Sequence, residues 1–382
     1  MIPGLDGLRA IAFLLVYALH TDYLQIGWIG VQFFFVLSGF LITGILLDMK
    51  KSLPPRDYFS KFYGRRFLRI FPLYYFYLLL MSGVAVGLIA IAFRPNYMKL
   101  FLEQTKYAVF YVYNFFFATK FFVQSNFLDH LWSLSVEEQF YIFWPLLIML
   151  VPEKALKKLF IAFIVLGPIL RLGLFLLHQS GAFRFLVDPA PWFIYPLPFS
   201  HIDAFAFGAY LSRYSIPHAK KQFFLLSGLL PVIGFTSQYI ATGKFGMLSA
   251  FGFPLFLGEG YMFIWGYSLL NYFFAVTLCA VAKEGLFLRL LDWKPMQYLG
   301  KISYGLYVYH LPIIWFATRV RDFGLPELQT RILILLIASP ATLLVAAASY
   351  HWMEKPILNL KDRLFPLKPS KESKSAVVVT AE

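Results

Sequence analysis

The chain has 382 residues, of which 59 % are hydrophobic, 20 % aromatic and only 14 % charged. That composition excludes a water-soluble globule: the apolar runs are too many and too long for one aqueous core, and several reach the ~20 residues that span a bilayer. A net charge of +14 would suggest nucleic acid in a soluble chain, but here the basic residues lie between apolar runs, which reads as topology control and an anionic ligand, with no nucleic-acid partner.

Apolar segments run over residues 5–22, 27–47, 67–93, 136–151, 157–178, 198–213, 221–240, 261–282, 302–318 and 331–350. The first has one Arg, an acidic Asp6 and no small-residue cleavage site, so it is read as a retained helix and not a signal peptide. Segment 100–122 is ambiguous, carrying Glu103, Lys106 and Lys120 among many Phe and Tyr. If it does not span and the N-terminus is cytoplasmic, most of the 34 Lys and Arg fall inside; if it spans, the basic loops after it move outside. The expectation is therefore an all-α integral membrane bundle of about ten transmembrane helices, with 100–122 as an interfacial or re-entrant element and both termini cytoplasmic. Residues 1–360 form one transmembrane domain, and 361–382 are expected to be a disordered cytoplasmic tail. The single Cys279 excludes a disulfide framework and a cysteine-based zinc site. No spacing resembles a metal site, and there is no glycine-rich nucleotide loop.

Charged and polar residues inside apolar runs carry the chemistry. Burying a cation such as Arg9 in a bilayer costs roughly 2.5–3.5 kcal/mol on insertion scales, a cost tolerated where the bundle interior or a water-filled cavity needs the charge. His20 follows eleven residues later, almost three helical turns, so both side chains leave one helix face about 16 Å apart. Next, Gly64-Arg65-Arg66-Phe67-Leu68-Arg69 stands at the expected cytoplasmic start of a helix. Arg65 and Arg69 share a face. The alternatives are positive-inside anchoring and a phosphate-rich ligand held by several guanidiniums.

The stretch His130-Leu131-Trp132-Ser133-Leu134-Ser135-Val136-Glu137-Glu138 opens another helix on the outer side. Its carboxylates either complement the helix dipole or turn one Glu inward to orient a histidine, with His20 the candidate at similar depth. His201 and Asp203 begin the 198–213 segment, as a cap or as a substrate contact. Finally Ser303, Tyr307 and His310 fall on one face of the 302–318 segment, giving either a polar stripe or a satisfied core histidine.

These stretches, in this order, resemble the membrane acyltransferase-3 family, the bacterial O-acyltransferases that modify cell-surface glycans. The resemblance runs from Leu5 to Pro356 and rests on Arg9 with His20, Gly30-Val31-Gln32-Phe33-Phe34-Phe35-Val36-Leu37-Ser38-Gly39-Phe40, the Arg65–Pro72 cluster, Trp132-Ser133-Leu134 with Glu137, Ser303-Tyr304 with Tyr307 and His310, and Glu354-Lys355-Pro356. It implies a ten-helix bundle of the bacterial cytoplasmic membrane that takes an acyl group, usually acetyl, from acyl-CoA on the cytoplasmic side to a hydroxyl of a glycan or lipid-linked sugar. On that reading Arg9, Arg65, Arg66 and Arg69 serve the coenzyme, His20 is base or acyl carrier, and Glu137, more than Glu138, supports it. Ser38, Trp132, Ser303 and Tyr307 are candidate oxyanion donors. No permanently bound cofactor is implied. Many members have Asp where this chain has Gln32, and many carry an Arg near the position of His201-Ile202-Asp203. Some also carry a C-terminal esterase-like domain, which is not expected here. The competing class is a transporter or flippase of an anionic lipid-linked glycan; it accounts for the basic mouth but not for a histidine aligned with one arginine. The absence of an internal repeat weighs against it.

Overall fold

A computed structural model describes residues 2–367. The helices in chain order are α1 Leu5–His20, α2 Ile29–Ser52, α3 Pro55–Ala90, α4 Pro95–Val109, α5 Tyr113–Phe117, α6 Leu131–Leu150, α7 Leu156–Gln179, α8 Ala190–Ile194, α9 Ile202–Leu211, α10 Ala219–Thr242, α11 Met262–Ala282, α12 Leu288–Leu291, α13 Lys294–Lys301, α14 Ser303–Ala317, α15 Glu327–Ser349 and α16 Lys355–Leu364. Each of the ten apolar segments carries a helix. Among the described residues, six helical stretches are long and apolar enough to cross a membrane: 25–52, 55–90, 153–179, 219–242, 262–282 and 327–364. The expected count of ten is thus reached only in part. The four segments outside that set (α1, α6, α9 and α14) are the ones that hold Arg9, His20, Glu137, His201, Asp203, Tyr307 and His310. Three of these helices are short, with 16 residues in α1, 10 in α9 (about 15 Å) and 15 in α14, and the longer α6 carries Glu137, Glu138 and Gln139.

Several boundaries differ from those expected, with consequences for the site. Helix α3 starts at Pro55, twelve residues before the apolar run, because polar residues 55–66 continue the same helix. The arginine cluster therefore lies inside a helix and not at its start. Helix α6 starts at Leu131, so Glu137 sits nearly two turns in. Segment 100–122 splits into α4 and α5 around Tyr111, whose φ of 52° breaks the helix, and neither piece reaches the ~20 residues a span needs. Helix α16 runs to Leu364, past the domain boundary expected at 360; Arg65 donates to Phe365 O at 2.7 Å and pairs with Asp362 at 3.0 Å, tying that end to α3. The rest of the expected tail, 368–382, lies outside the described residues.

The outer faces are apolar. Ile161, Val165, Ile169, Leu172 and Leu176 form an exposed stripe at helical spacing along α7, and Leu328, Ile332 and Leu336 do the same on α15. Inside, α2 and α9 cross at glycines: a Cβ at Gly39 would lie 2.1 Å from Phe205 O, and one at Gly208 would lie 1.9 Å from Val36 O. Such close backbone approach is how membrane helices gain packing contacts. Helix α15 passes through a π-turn, Tyr350–Glu354, into α16. That turn directs Glu354 inward against Gly305, where a Cβ would come within 3.1 Å of its Oε1.

Candidate active site

Two cavities enter the bundle from opposite ends of α1. One, of about 200 Å³, is lined by Arg9, Arg66, Arg69, Ser38, Glu137, Glu138, Tyr141, Ser303 and Tyr307 among others. The other, of about 670 Å³, is lined by His20, Gln25, Asp129, His130, Trp132, Tyr195, Tyr307, Trp315 and Arg319 among others. Val31 and Tyr307 line both, so the cavities meet at those two side chains. The alignment of Arg9 and His20 along α1 thus places a guanidinium in one cavity and an imidazole in the other.

The arginine cavity is not the cluster the spacing suggested. Arg66 and Arg69 line it, whereas Arg65 turns away to bond α16. Angle does not separate them, since Arg65 and Arg66 both lie within about 60° of Arg69 around the helix; Arg65 is taken up by Phe365 O and Asp362 at α16. Arg9 pairs with Asp6 at 2.7 Å. The Arg66 guanidinium lies 5.7 Å from the Tyr141 ring, and neither Arg66 nor Arg69 forms an ion pair among the described residues. Glu137 accepts a hydrogen bond from Ser38 Oγ. Glu138 lines the same cavity, with its Oε1 buried and unpartnered.

Glu137 lines the arginine cavity and His20 the other, and no hydrogen bond joins the two among the described residues. The partner of His20 is His310. Its Nε2 lies 2.8 Å from His20 Nδ1, and its Nδ1 lies 2.6 Å from Tyr307 O. A carbonyl only accepts, so His310 Nδ1 carries a proton. With both rings neutral, His310 Nε2 then accepts from His20 Nδ1–H, which leaves the lone pair on His20 Nε2, on a ring that lines the larger cavity. The two rings stack at 4.9 Å. His310 is thus neither a cavity-lining substrate contact nor an isolated core histidine.

The other candidates divide. Ser38 and Ser303 line the arginine cavity, Ser38 being committed to Glu137. Tyr307 OH donates to His130 O at 3.0 Å and lies 2.6 Å from Ser133 Oγ. Trp132 lines the histidine cavity, and its indole N–H has no hydrogen bond within the protein among the described residues. His201 and Asp203 line neither cavity. His201 donates from Nε2 to Tyr195 O at 2.6 Å, while its Nδ1 lies 3.0 Å from Gln32 Nε2. Asp203 is fully buried against Arg171, with guanidinium contacts at 3.0 and 3.2 Å, and also accepts from Ser268, Asn271 and its neighbour's Ala204 N–H. Both side chains are thus engaged within the protein. Arg171 escaped the sequence reading, although the argument that singled out Arg9, a charge within an apolar run, applies to it equally. Among the described residues no three His, Cys, Asp or Glu side chains gather as a metal site would need.

An all-helical bundle with an apolar exterior, one cavity lined by arginines and carboxylates and another lined by a histidine, defines a helical membrane protein with charged groups turned to its interior. The chain belongs to the acyltransferase-3 family, whose Acyltransferase domain matches residues 2–351. It is similar to O-acetyltransferase OatA of Staphylococcus aureus strain MRSA252, 28 % identical over 99 % of this chain and 60 % of the relative. It is also similar to the putative peptidoglycan O-acetyltransferase YrhL of Bacillus subtilis strain 168, 29 % identical over 93 % of this chain and 55 % of the relative. The peptidoglycan O-acetyltransferase OatA of Listeria monocytogenes is 29 % identical over 93 % of this chain and 56 % of its own length. The chain thus spans between half and two thirds of the length of these relatives. No solved structure is significantly similar to it.

Proposed function

We propose that this protein is a membrane O-acetyltransferase that moves an acetyl group from acetyl-CoA, bound from the cytoplasm, to a hydroxyl of a cell-wall glycan on the outer side. The observation that carries the reading is the meeting of the arginine cavity and the His20 cavity at Val31 and Tyr307. Coenzyme phosphates dock on Arg66 and Arg69, with Arg9 along the same cavity, since planar guanidiniums without carboxylate partners suit bidentate phosphate contact. The pantetheine arm follows the cavity toward Tyr307, bringing the thioester to His20. A sugar hydroxyl in the larger cavity gives its proton to His20 Nε2 as its oxygen attacks the thioester carbon. The C–S bond then breaks, and the coenzyme thiolate recovers a proton from the imidazolium. Attack by Nε2 itself, giving an acyl-imidazole, uses the same lone pair. The free indole N–H of Trp132 is the best-supplied oxyanion donor, because the Tyr307 hydroxyl is already committed.

The test is stoichiometric. Purified protein in nanodiscs, given acetyl-CoA and a cell-wall glycan fragment, should release free coenzyme thiol in step with glycan acetylation measured by mass spectrometry. Glycan movement across the bilayer with no thiol released would establish the flippase alternative instead.

A second expectation concerns the donor side. Arg69→Lys and Arg69→Ala should both weaken acetyl-CoA binding, by roughly tenfold or more, because a point charge does not replace a bidentate fork. Arg65→Ala should leave donor affinity within about twofold. Unchanged donor affinity in both Arg69 variants in a direct titration would mean that the cluster only anchors the helix.

A further inference from the structure

The histidine cavity contains a cation that neither the fold nor the transfer chemistry uses. Arg319 stands in the 3-10 turn Thr318–Phe323 that follows α14 and lines the cavity. Its guanidinium lies 5.2 Å from the Trp315 ring centre, and among the described residues its Nε is buried with no hydrogen-bond partner and its one hydrogen bond is a 3.4 Å contact with the adjacent Thr318 Oγ1. It forms no ion pair among the described residues. The acids lining the same cavity are engaged elsewhere: Asp22 pairs with Arg321 at 3.6 Å, and Asp129 accepts from Tyr113 OH at 3.0 Å and Ser125 N–H at 2.8 Å. A second guanidinium, that of Arg94, lies 5.8 Å from the same Trp315 ring and adds to the positive potential.

A partly buried guanidinium with an unused donor is costly until an acceptor reaches it, and a carboxylate or phosphate does so with charge-assisted bonds. The walls around it supply the complementary half of a site. Trp132, Trp192, Tyr195 and Trp315 present flat aromatic surfaces, and the C–H face of a pyranose ring offers apolar area of matching shape. We propose that the larger cavity selects an anionic sugar, with a carboxylate or phosphate on the acceptor held by Arg319 while the ring lies on the aromatic walls. This rests on reading that cavity as the acceptor side.

Binding can be read without turnover, through the fluorescence of the tryptophans that line the cavity. The probes are N-acetylmuramic acid, which carries a carboxylate, and its uncharged methyl ester, titrated into the full chain in phosphatidylcholine nanodiscs without donor. The acid should bind at least tenfold more tightly than the ester. Arg319→Gln should bring the two within about twofold of each other by weakening only the acid, and Arg319→Lys should keep part of the preference. Equal binding of both probes to the wild type, an undiminished preference in Arg319→Gln, or no binding of either overturns the proposal. A preference abolished by exchanging phosphatidylcholine for phosphatidylglycerol assigns Arg319 to lipid headgroups and overturns it too. The wild-type comparison stands even if a variant fails to fold. Thiol release without acid preference would leave the transferase reading intact and remove only this inference; acid preference without thiol release would do the reverse.

Discussion

His20→Ala should retain acetyl-CoA affinity within about twofold while transfer falls 100- to 10,000-fold, the usual loss when a positioned base is removed. The split follows from geometry, since His20 lines the larger cavity and is absent from the arginine cavity. The relay behind it makes a finer expectation. His310 Nε2 accepts from His20 Nδ1–H at 2.8 Å, which keeps the Nε2 lone pair of His20 free. His310→Phe preserves an aromatic ring but removes that acceptor, so His20 can take the other tautomer and present a protonated Nε2. Turnover should then drop by tenfold or more with KM for donor unchanged, and His310→Gln, whose amide oxygen still accepts, should recover part of it. A loss of packing alone would lower folded yield in both variants and would not be rescued by Gln. Transfer by His20→Ala at more than about a tenth of wild type would remove His20 from the chemistry.

The bundle was legible because its signals are long. Ten apolar segments announce themselves by length, and every one of them is helical. The alignment of Arg9 and His20 was legible because it depends only on helical period within one element. What failed was everything that depends on rotation or depth between elements. Pairing Glu137 with His20 rests on depth along two helices, and α6 starts at Leu131, five residues before its apolar run, with the carboxylate lining the arginine cavity. Arg65 and Arg69 share a face by spacing, yet α16 takes Arg65 as its anchor, a partner nearly 300 positions away that no local pattern reveals. His310 was visible as one of a polar stripe, but its pairing with His20 across 290 positions is a tertiary fact. Local sequence fixes period and propensity; inter-helix rotation is decided by packing, here by glycine crossings such as Gly39 with Phe205.

Asp203→Ala should fail as a folded protein rather than as an enzyme. Arg171 and Asp203 are both fully buried, and their guanidinium–carboxylate pairing at 3.0 and 3.2 Å is the centre of a closed network. Arg171 also donates to Ile264 O at 2.9 Å and Ser200 O at 2.6 Å, which joins α7 to α11 and to the turn before α9. Removing the carboxylate leaves an uncompensated cation in the interior, a loss of about 3–5 kcal/mol for a broken buried pair. That is a large share of the stability of a typical domain. The sign reverses when both charges go: an Arg171→Met, Asp203→Leu double variant loses the pair without stranding a charge, so it should recover much of the folded yield. Gly167→Ala supplies an independent check, since its Cβ would come within 2.6 Å of the Asp203 carboxyl carbon and should destabilise without altering any charge. Detergent-solubilised protein, followed by thermal unfolding and size exclusion, reads all three. If Asp203→Ala stays as stable as the wild type and loses only acceptor binding, then Asp203 reaches the glycan after all, and the closed network around Arg171 opens during turnover.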